Sequence, residues 1–269
     1  MSISEPAAYR LFRHPGRRFY RGALRALQEA GIPFLVGGAY AYSQYTAIAR
    51  DTKDFDIFVH PRDVERALEE LRMRGCRTEL AYPHWLAKAW LGDAFLDIIF
   101  NSGNGAVPVD DEWFRHAPEG NVLGVEVKLQ PIEEMMWSKS FVMERERSDA
   151  ADVAHLILRC SERIEWDRLV GRYGPHWRVL LAHLVLFGFV YPSERTRVPA
   201  RIVRDLSARL ARELDHDASE RVCNGTMLSR EQYLTDVEEW DYEDPRVAPR
   251  GAMSPEDVAH WTAAIDRGR

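Results

Sequence analysis

Phe34-Leu35-Val36-Gly37-Gly38 and, further on, Asp54-Phe55-Asp56-Ile57-Phe58-Val59 decide how this chain reads. A short apolar run ends in two glycines, and the next apolar run opens with two acids one residue apart. A third acid stands inside another apolar run, Phe95-Leu96-Asp97-Ile98-Ile99-Phe100. Side chains alternate along a strand, so Asp54 and Asp56 share one face while Phe55 and Ile57 take the other. Asp97 joins them if its strand lies beside theirs with that face shared. Three carboxylates set among strand residues are costly unless positive charge compensates them. A divalent metal carrying a polyphosphate is the natural compensator. Magnesium takes oxygen ligands in an octahedron, usually a few carboxylates with waters and phosphates. Two such ions can clamp the attacking and leaving oxygens of an in-line displacement.

Each piece also has a plainer reading. An Asp-x-Asp at a strand end is commonly a solvated edge, a Gly-Gly pair is turn punctuation, and one buried aspartate is commonly a hydrogen-bonded structural acid. Their order and spacing together are more specific, and point to an active site for nucleotidyl transfer.

Gly37-Gly38, then Arg50-Asp51-Thr52-Lys53-Asp54-Phe55-Asp56-Ile57, then Leu96-Asp97-Ile98-Ile99, resembles the DNA polymerase beta-type nucleotidyltransferase superfamily. Within it the chain looks like the bacterial abortive-infection-type, minimal and aminoglycoside nucleotidyltransferases. The resemblance covers residues 34–100 by motif pattern and the rest loosely. It implies that Gly37 and Gly38 open a helix whose backbone holds the triphosphate. It also implies that Asp54, Asp56 and Asp97 are the catalytic and metal-binding acids, with Asp97 as base toward the acceptor hydroxyl. Many members carry serine where this chain has Gly38, so phosphate binding there leans on backbone donors. Lys139, within Met136-Trp137-Ser138-Lys139, matches a lysine that related enzymes set against the phosphates; a surface lysine is the equal alternative. Lys53 and Arg50 either steady a phosphate or offset nearby carboxylates. Arg145, Arg147 and Asp152 resemble a segment of abortive-infection-type members, though Arg–Glu pairing on exposed helix faces accounts for the same letters.

The chain has 269 residues, a net charge of −6 and 46% hydrophobic residues, the profile of a globular protein with one large or two modest domains. Residues 1–6 lack the apolar run of a signal peptide. The most apolar stretch, residues 179–190, contains His183 and is too short to span a bilayer. Cys76, Cys160 and Cys223 are odd in number and widely spaced, which argues for reduced thiols. The expectation is a cytoplasmic protein that binds no membrane.

Residues 19–30 have helical spacing and stop at Gly31. The strand at 34–36 leads into a helix over 39–48, and the Asp54 strand ends at His60-Pro61 before a helix over 63–74. Residues 77–80 read as a strand, and 85–91 and 94–100 as a hairpin about Gly92-Asp93. Residues 122–129 read as one further strand. From Pro131 the period becomes helical, over 132–142, 149–160, 166–173, 176–190, 199–214 and 230–239. The expected architecture is α/β (α+β). A nucleotidyltransferase-type mixed sheet flanked by helices occupies residues 1–130. A helical domain over 131–269 completes the nucleotide and acceptor cleft.

His155, His176 and His183 read as packed core histidines. Trp137, Trp166, Trp177 and the 187–189 stretch read as core filling. Six arginines fall in 10–25 and six in 195–212; amphipathic helices explain them more simply than an RNA surface. The implied co-substrate is a nucleoside triphosphate, with Mg2+ or Mn2+. The acceptor stays open. Either it is a small antibiotic-like molecule, for which the acids of 236–241 are one candidate lining, or it is a tRNA or protein modified in the manner of a toxin. A catalytically silent nucleotide-binding protein of the same fold is the non-enzymatic alternative.

Overall fold

The computed structural model describes residues 16–50, 52–214 and 220–263. Asp51, Arg10, Arg13 and residues 1–6, each invoked above, lie outside the described residues. The chain divides into two compact units between Pro131 and Ile132.

The first unit begins with α1 (Arg17–Glu29), which buries Phe19, Tyr20, Ala23, Leu24, Ala26 and Leu27 along one stripe. That spacing is what makes it an amphipathic helix. Then come β1 (Leu35–Val36), α2 (Gly38–Thr46) and β2 (Asp54–Phe58). A short 3-10 turn at Pro61–Asp63 leads into α3 (Val64–Met73), and β3 (Arg77–Tyr82), β4 (Leu86–Leu91) and β5 (Ala94–Ile99) complete the sheet. The strand order is β1-β2-β5-β4-β3. β2 and β5 run parallel, whereas the other neighbours are antiparallel. The sheet is therefore mixed, with β5 at its centre.

Register divides the sheet into two chemically distinct faces. Phe55 pairs with Leu96 and Ile57 with Ile98, while Ala87 and Ala89 meet Ile98 and Leu96 from β4; all six are fully buried. Tyr20 of α1 stacks on Phe55 at 4.7 Å, and Tyr40 of α2 tilts against it at 4.6 Å. The opposite face carries Asp54, Asp56, Asp97 and Lys88. Strand alternation alone separates them from the core.

Residues 122–129 are not one strand. Leu123 and Gly124 are both left-handed, at φ 55 and 79. That is the backbone of a tight hairpin turn. It splits the run into β6 (Glu119–Val122) and β7 (Val125–Lys128), a separate two-stranded sheet. A helix not foreseen, α4 (Asp111–Arg115), precedes it, with the Asp110 carboxylate accepting from the Glu112 amide.

The second unit contains α5 (Ile132–Ser140), α6 (Ala150–Cys160), α7 (Trp166–Tyr173), α8 (Trp177–Val190) and α9 (Ala200–Glu213), followed by α10 (Leu234–Glu238) and α11 (Pro255–Ala263). α10 is shorter than the expected 230–239 helix, and α11 was not foreseen. Trp137, Trp166, Trp177 and Phe187 are buried as expected, but Phe189 is 81% exposed. Cys76, Cys160 and Cys223 are buried and form no disulfide with one another. His183 is buried against the Ser140 carbonyl at 3.2 Å, and burial pulls its pKa down. Among the described residues no helix is long and apolar enough to cross a membrane.

The bundle also encloses charge. Glu134 is fully buried, and its carboxylate is held by Arg168 and by Arg172, the latter at 3.0 Å. Arg168 also reaches Glu133 at 2.8 Å. Removing one partner of such a cluster leaves an uncompensated buried charge. Arg168→Ala is therefore expected to cost about 3 kcal/mol or more by urea denaturation. Arg197→Ala, which breaks the exposed pair with Glu194, should cost under about 1 kcal/mol. Equal, small losses would contradict the reading of Glu134 as a buried charge that depends on its arginine partners.

Candidate active site

Three of the acids singled out by sequence lie on one sheet face. Asp56 is the register partner of Asp97 across the parallel β2–β5 pair. Asp54, two residues before Asp56, points the same way. Directly opposite neighbours on adjacent strands share a face with Cβ atoms about 5 Å apart. Asp54 is exposed and Asp56 half-buried, while the Asp97 side chain retains 13% exposure. Burial pushes the Asp97 carboxyl above the ordinary carboxylate range; a hydrogen bond and the charge of Lys88 oppose this, and the charge of Asp54 adds to it.

Lys88 belongs to this face and Tyr20 reaches its edge from the covered side, stacked on Phe55; neither was singled out from sequence. Lys88, opposite Asp97 on β4, donates to Asp97 Oδ1 at 2.6 Å. A signal for it existed: the two-residue turn at Gly92-Asp93 fixes the pairing outward from Leu91 and Ala94, and so carries Lys88 to Asp97. The Tyr20 hydroxyl donates to the Lys53 carbonyl at 3.2 Å, just before the acid pair. Burial first, then the charges of Asp54, Asp97 and Asp56, push its pKa up to about 12. One hydroxyl thus senses all three carboxylates, and no comparable signal in the sequence marks it.

Gly37 and Gly38 lie against β2, and each has a steric reason to be glycine. A Cβ on Gly37 would meet the Phe58 ring at 2.2 Å, and one on Gly38 would meet Asp56 Oδ2 at 1.7 Å. Gly38 also has φ +53, a region that L side chains rarely adopt. The Gly37 amide donates to the Asp56 carbonyl at 3.0 Å. Asp56 therefore sits at the opening turn of α2, where unpaired amides and the helix dipole favour negative charge.

Lys53 is exposed beside Asp54. The Arg50 guanidinium lies 5.2 Å from the Tyr42 ring centroid. Lys139 belongs to the second unit, where its ammonium donates to Asp149 at 2.9 Å and Asp152 at 2.7 Å. Arg147 holds Asp149 through two hydrogen bonds of 3.0 and 3.1 Å. Burial acts to raise the Asp149 carboxyl, but Arg147 and Lys139 outweigh it and hold it below the usual range. The expected Arg–Glu pairing on a helix face is absent from these contacts, because residues 141–149 are not helical. Glu144 instead binds Ser229 at 2.7 Å and Arg230 at 2.8 Å.

Among the described residues, no group of three or more His, Cys, Asp or Glu side chains is closed into a metal-holding arrangement. The donor set nevertheless suits a hard cation by its chemistry. It offers carboxylate oxygens from Asp54, Asp56 and Asp97 on one face, without thiol or imidazole. A lysine ammonium already sits on one of those oxygens, so the face accommodates positive charge.

No protein-family model matches the sequence, and no curated protein matches it either. The chain is similar to several solved structures. One is the solution structure of the antibiotic-resistance factor ANT(2'')-Ia, at 18% identity over 75% of this chain and 97% of that one, with a TM-score of 0.34. Another is the lincosamide antibiotic adenylyltransferase LnuA bound to lincomycin, at 13% identity over 53% and 96%, TM-score 0.38. A third is JHP933 from Helicobacter pylori, at 13% identity over 80% and 100%, TM-score 0.37.

The contact between Gly38 and Asp56 yields a test with an internal control. Gly31 has φ +63 but open space where a Cβ would go. Gly31→Ala should cost about 1 kcal/mol for its backbone alone. Gly38→Ala should cost roughly 2–4 kcal/mol, because the added Cβ must also displace a carboxylate. Urea denaturation compares the two, and equal losses would contradict the close approach.

Proposed function

We propose that this protein is a divalent-metal-dependent nucleotidyltransferase. It moves a nucleoside monophosphate from a nucleoside triphosphate onto an acceptor hydroxyl and releases pyrophosphate. The observation that carries the reading is the in-register pairing of Asp56 with Asp97 on one sheet face. It stands together with the glycine-opened helix and the motif resemblance read from sequence.

Asp54, Asp56 and Asp97 would hold Mg2+ or Mn2+, which when bound neutralises charge on the phosphoryl oxygens. The amides opening α2 at Gly38 are suited to phosphate oxygens, and Lys53 supplies an exposed cation beside Asp54. Asp97 is assigned the acceptor proton. Burial makes its carboxyl more basic than usual, which suits that role. As the proton passes to Asp97, the acceptor oxygen bonds to the α-phosphorus and the bond to the bridging oxygen of pyrophosphate breaks. Lys139, held by Asp149 and Asp152 in the other unit, remains a proposed phosphate ligand, but the reading stands on first-unit residues.

For the acceptor, the 195–212 arginines bear on the choice. Arg197 pairs with Glu194, Arg201 with Asp167, and Arg209 with Glu213. Acids thus offset much of the charge an RNA backbone would use, which favours a small-molecule acceptor. Activity should then fall only gently with added salt; a steep fall would indicate a nucleic acid instead.

Purified protein with magnesium and each of the four triphosphates should release pyrophosphate when a suitable acceptor is present. Asp56→Ala should reduce that release roughly 100-fold or more with an unchanged melting transition. Full activity in Asp56→Ala would remove the mechanism. Triphosphate binding without turnover on any acceptor would leave a silent binding protein.

A further inference from the structure

Across the sheet, a single row of charge runs Glu79, Lys88, Asp97, Asp56 on β3, β4, β5 and β2, each residue in register with the next. Lys88 is the one cation in that row. Its ammonium is 2.6 Å from Asp97 Oδ1, with 24% side-chain exposure, and 4.7 Å from the centroid of the Phe95 ring. Strand pairing sets the two residues directly opposite each other, so the lysine side chain has the carboxylate within reach. A charge pair this shielded is screened far less than a surface pair.

We infer that Lys88 is a built-in competitor for the metal: its ammonium stands in for a divalent cation at Asp97 and must yield that oxygen when the ion binds. This rests on the reading of Asp54, Asp56 and Asp97 as the metal-binding acids. An ammonium and a divalent cation cannot both sit on Asp97 without strong mutual repulsion at low effective dielectric. The Phe95 face, already in contact, gives the displaced ammonium a cation–π resting place. Lys88 is thus a positioning residue: it keeps Asp97 charged and in place before the ion arrives, and weakens the ion's hold afterward. Weak intrinsic metal binding would make occupancy depend on the triphosphate delivering its own cation.

The test is direct titration of the full chain with Mn2+, without nucleotide, at pH 8.5, followed by electron paramagnetic resonance. Lys88→Met should bind Mn2+ roughly tenfold more tightly than wild type. Lys88→Arg keeps the charge and should bind no more tightly than wild type. In an Asp97→Asn background Lys88→Met should gain nothing. Lys88→Gln repeats the measurement should the methionine variant fail to fold. Unchanged or weaker binding in the neutral variants would overturn the inference. If Mn2+ binding requires Asp54 and Asp56 but ignores Lys88, only the role of the lysine falls. If neither wild type nor variants bind Mn2+, the metal-site reading falls with it.

Discussion

The parallel pairing of β2 with β5 is the constraint on which the candidate site depends. It brings Asp56 level with Asp97, although other strands and a helix intervene between them along the chain. The same register sets Phe55 against Leu96 and Ile57 against Ile98 on the other face. A slip of one residue would turn every side chain over, burying the acids and exposing the aromatic and aliphatic core. Apolar packing on one face therefore fixes the geometry of charge on the other, and stability and function share one set of backbone hydrogen bonds.

Around that pairing, several contacts regulate how much negative charge the face carries. The Lys88 ammonium offsets Asp97, and the opening turn of α2 faces Asp56 across Gly38. Tyr20 bridges α1 to the Lys53 carbonyl while stacking on Phe55. It thereby links the covered face to the start of the acid pair. The absence of a side chain at Gly38 is as much a structural requirement as a functional one, since Asp56 occupies the space.

Much of this was legible in the sequence because it follows from short-range rules. Alternation put Asp54 and Asp56 together, and the turn at Gly92-Asp93 announced the β4–β5 hairpin. What escaped depends on information that no single strand contains. Lys88 looked like one cation in an apolar run until the hairpin register was carried across to Asp97. The run at 122–129 looked continuous because a left-handed Leu123 has no signature in its side chain. Phe189 was read as core because a helix apolar on nearly every side does not declare which face is covered. The segment at 144–152 was read as helical pairing, whereas Arg147, Asp149 and Lys139 form a cluster across a loop.

The most direct measurement is a crystal grown or soaked with Mn2+ and a non-hydrolysable triphosphate, with anomalous scattering used to find the metal. The account predicts a peak within coordination distance, about 2.2 Å, of oxygens from Asp54 and Asp56, with Lys88 withdrawn from Asp97. A well-ordered nucleotide whose metal lies away from these carboxylates, or no metal on that face at all, would contradict it.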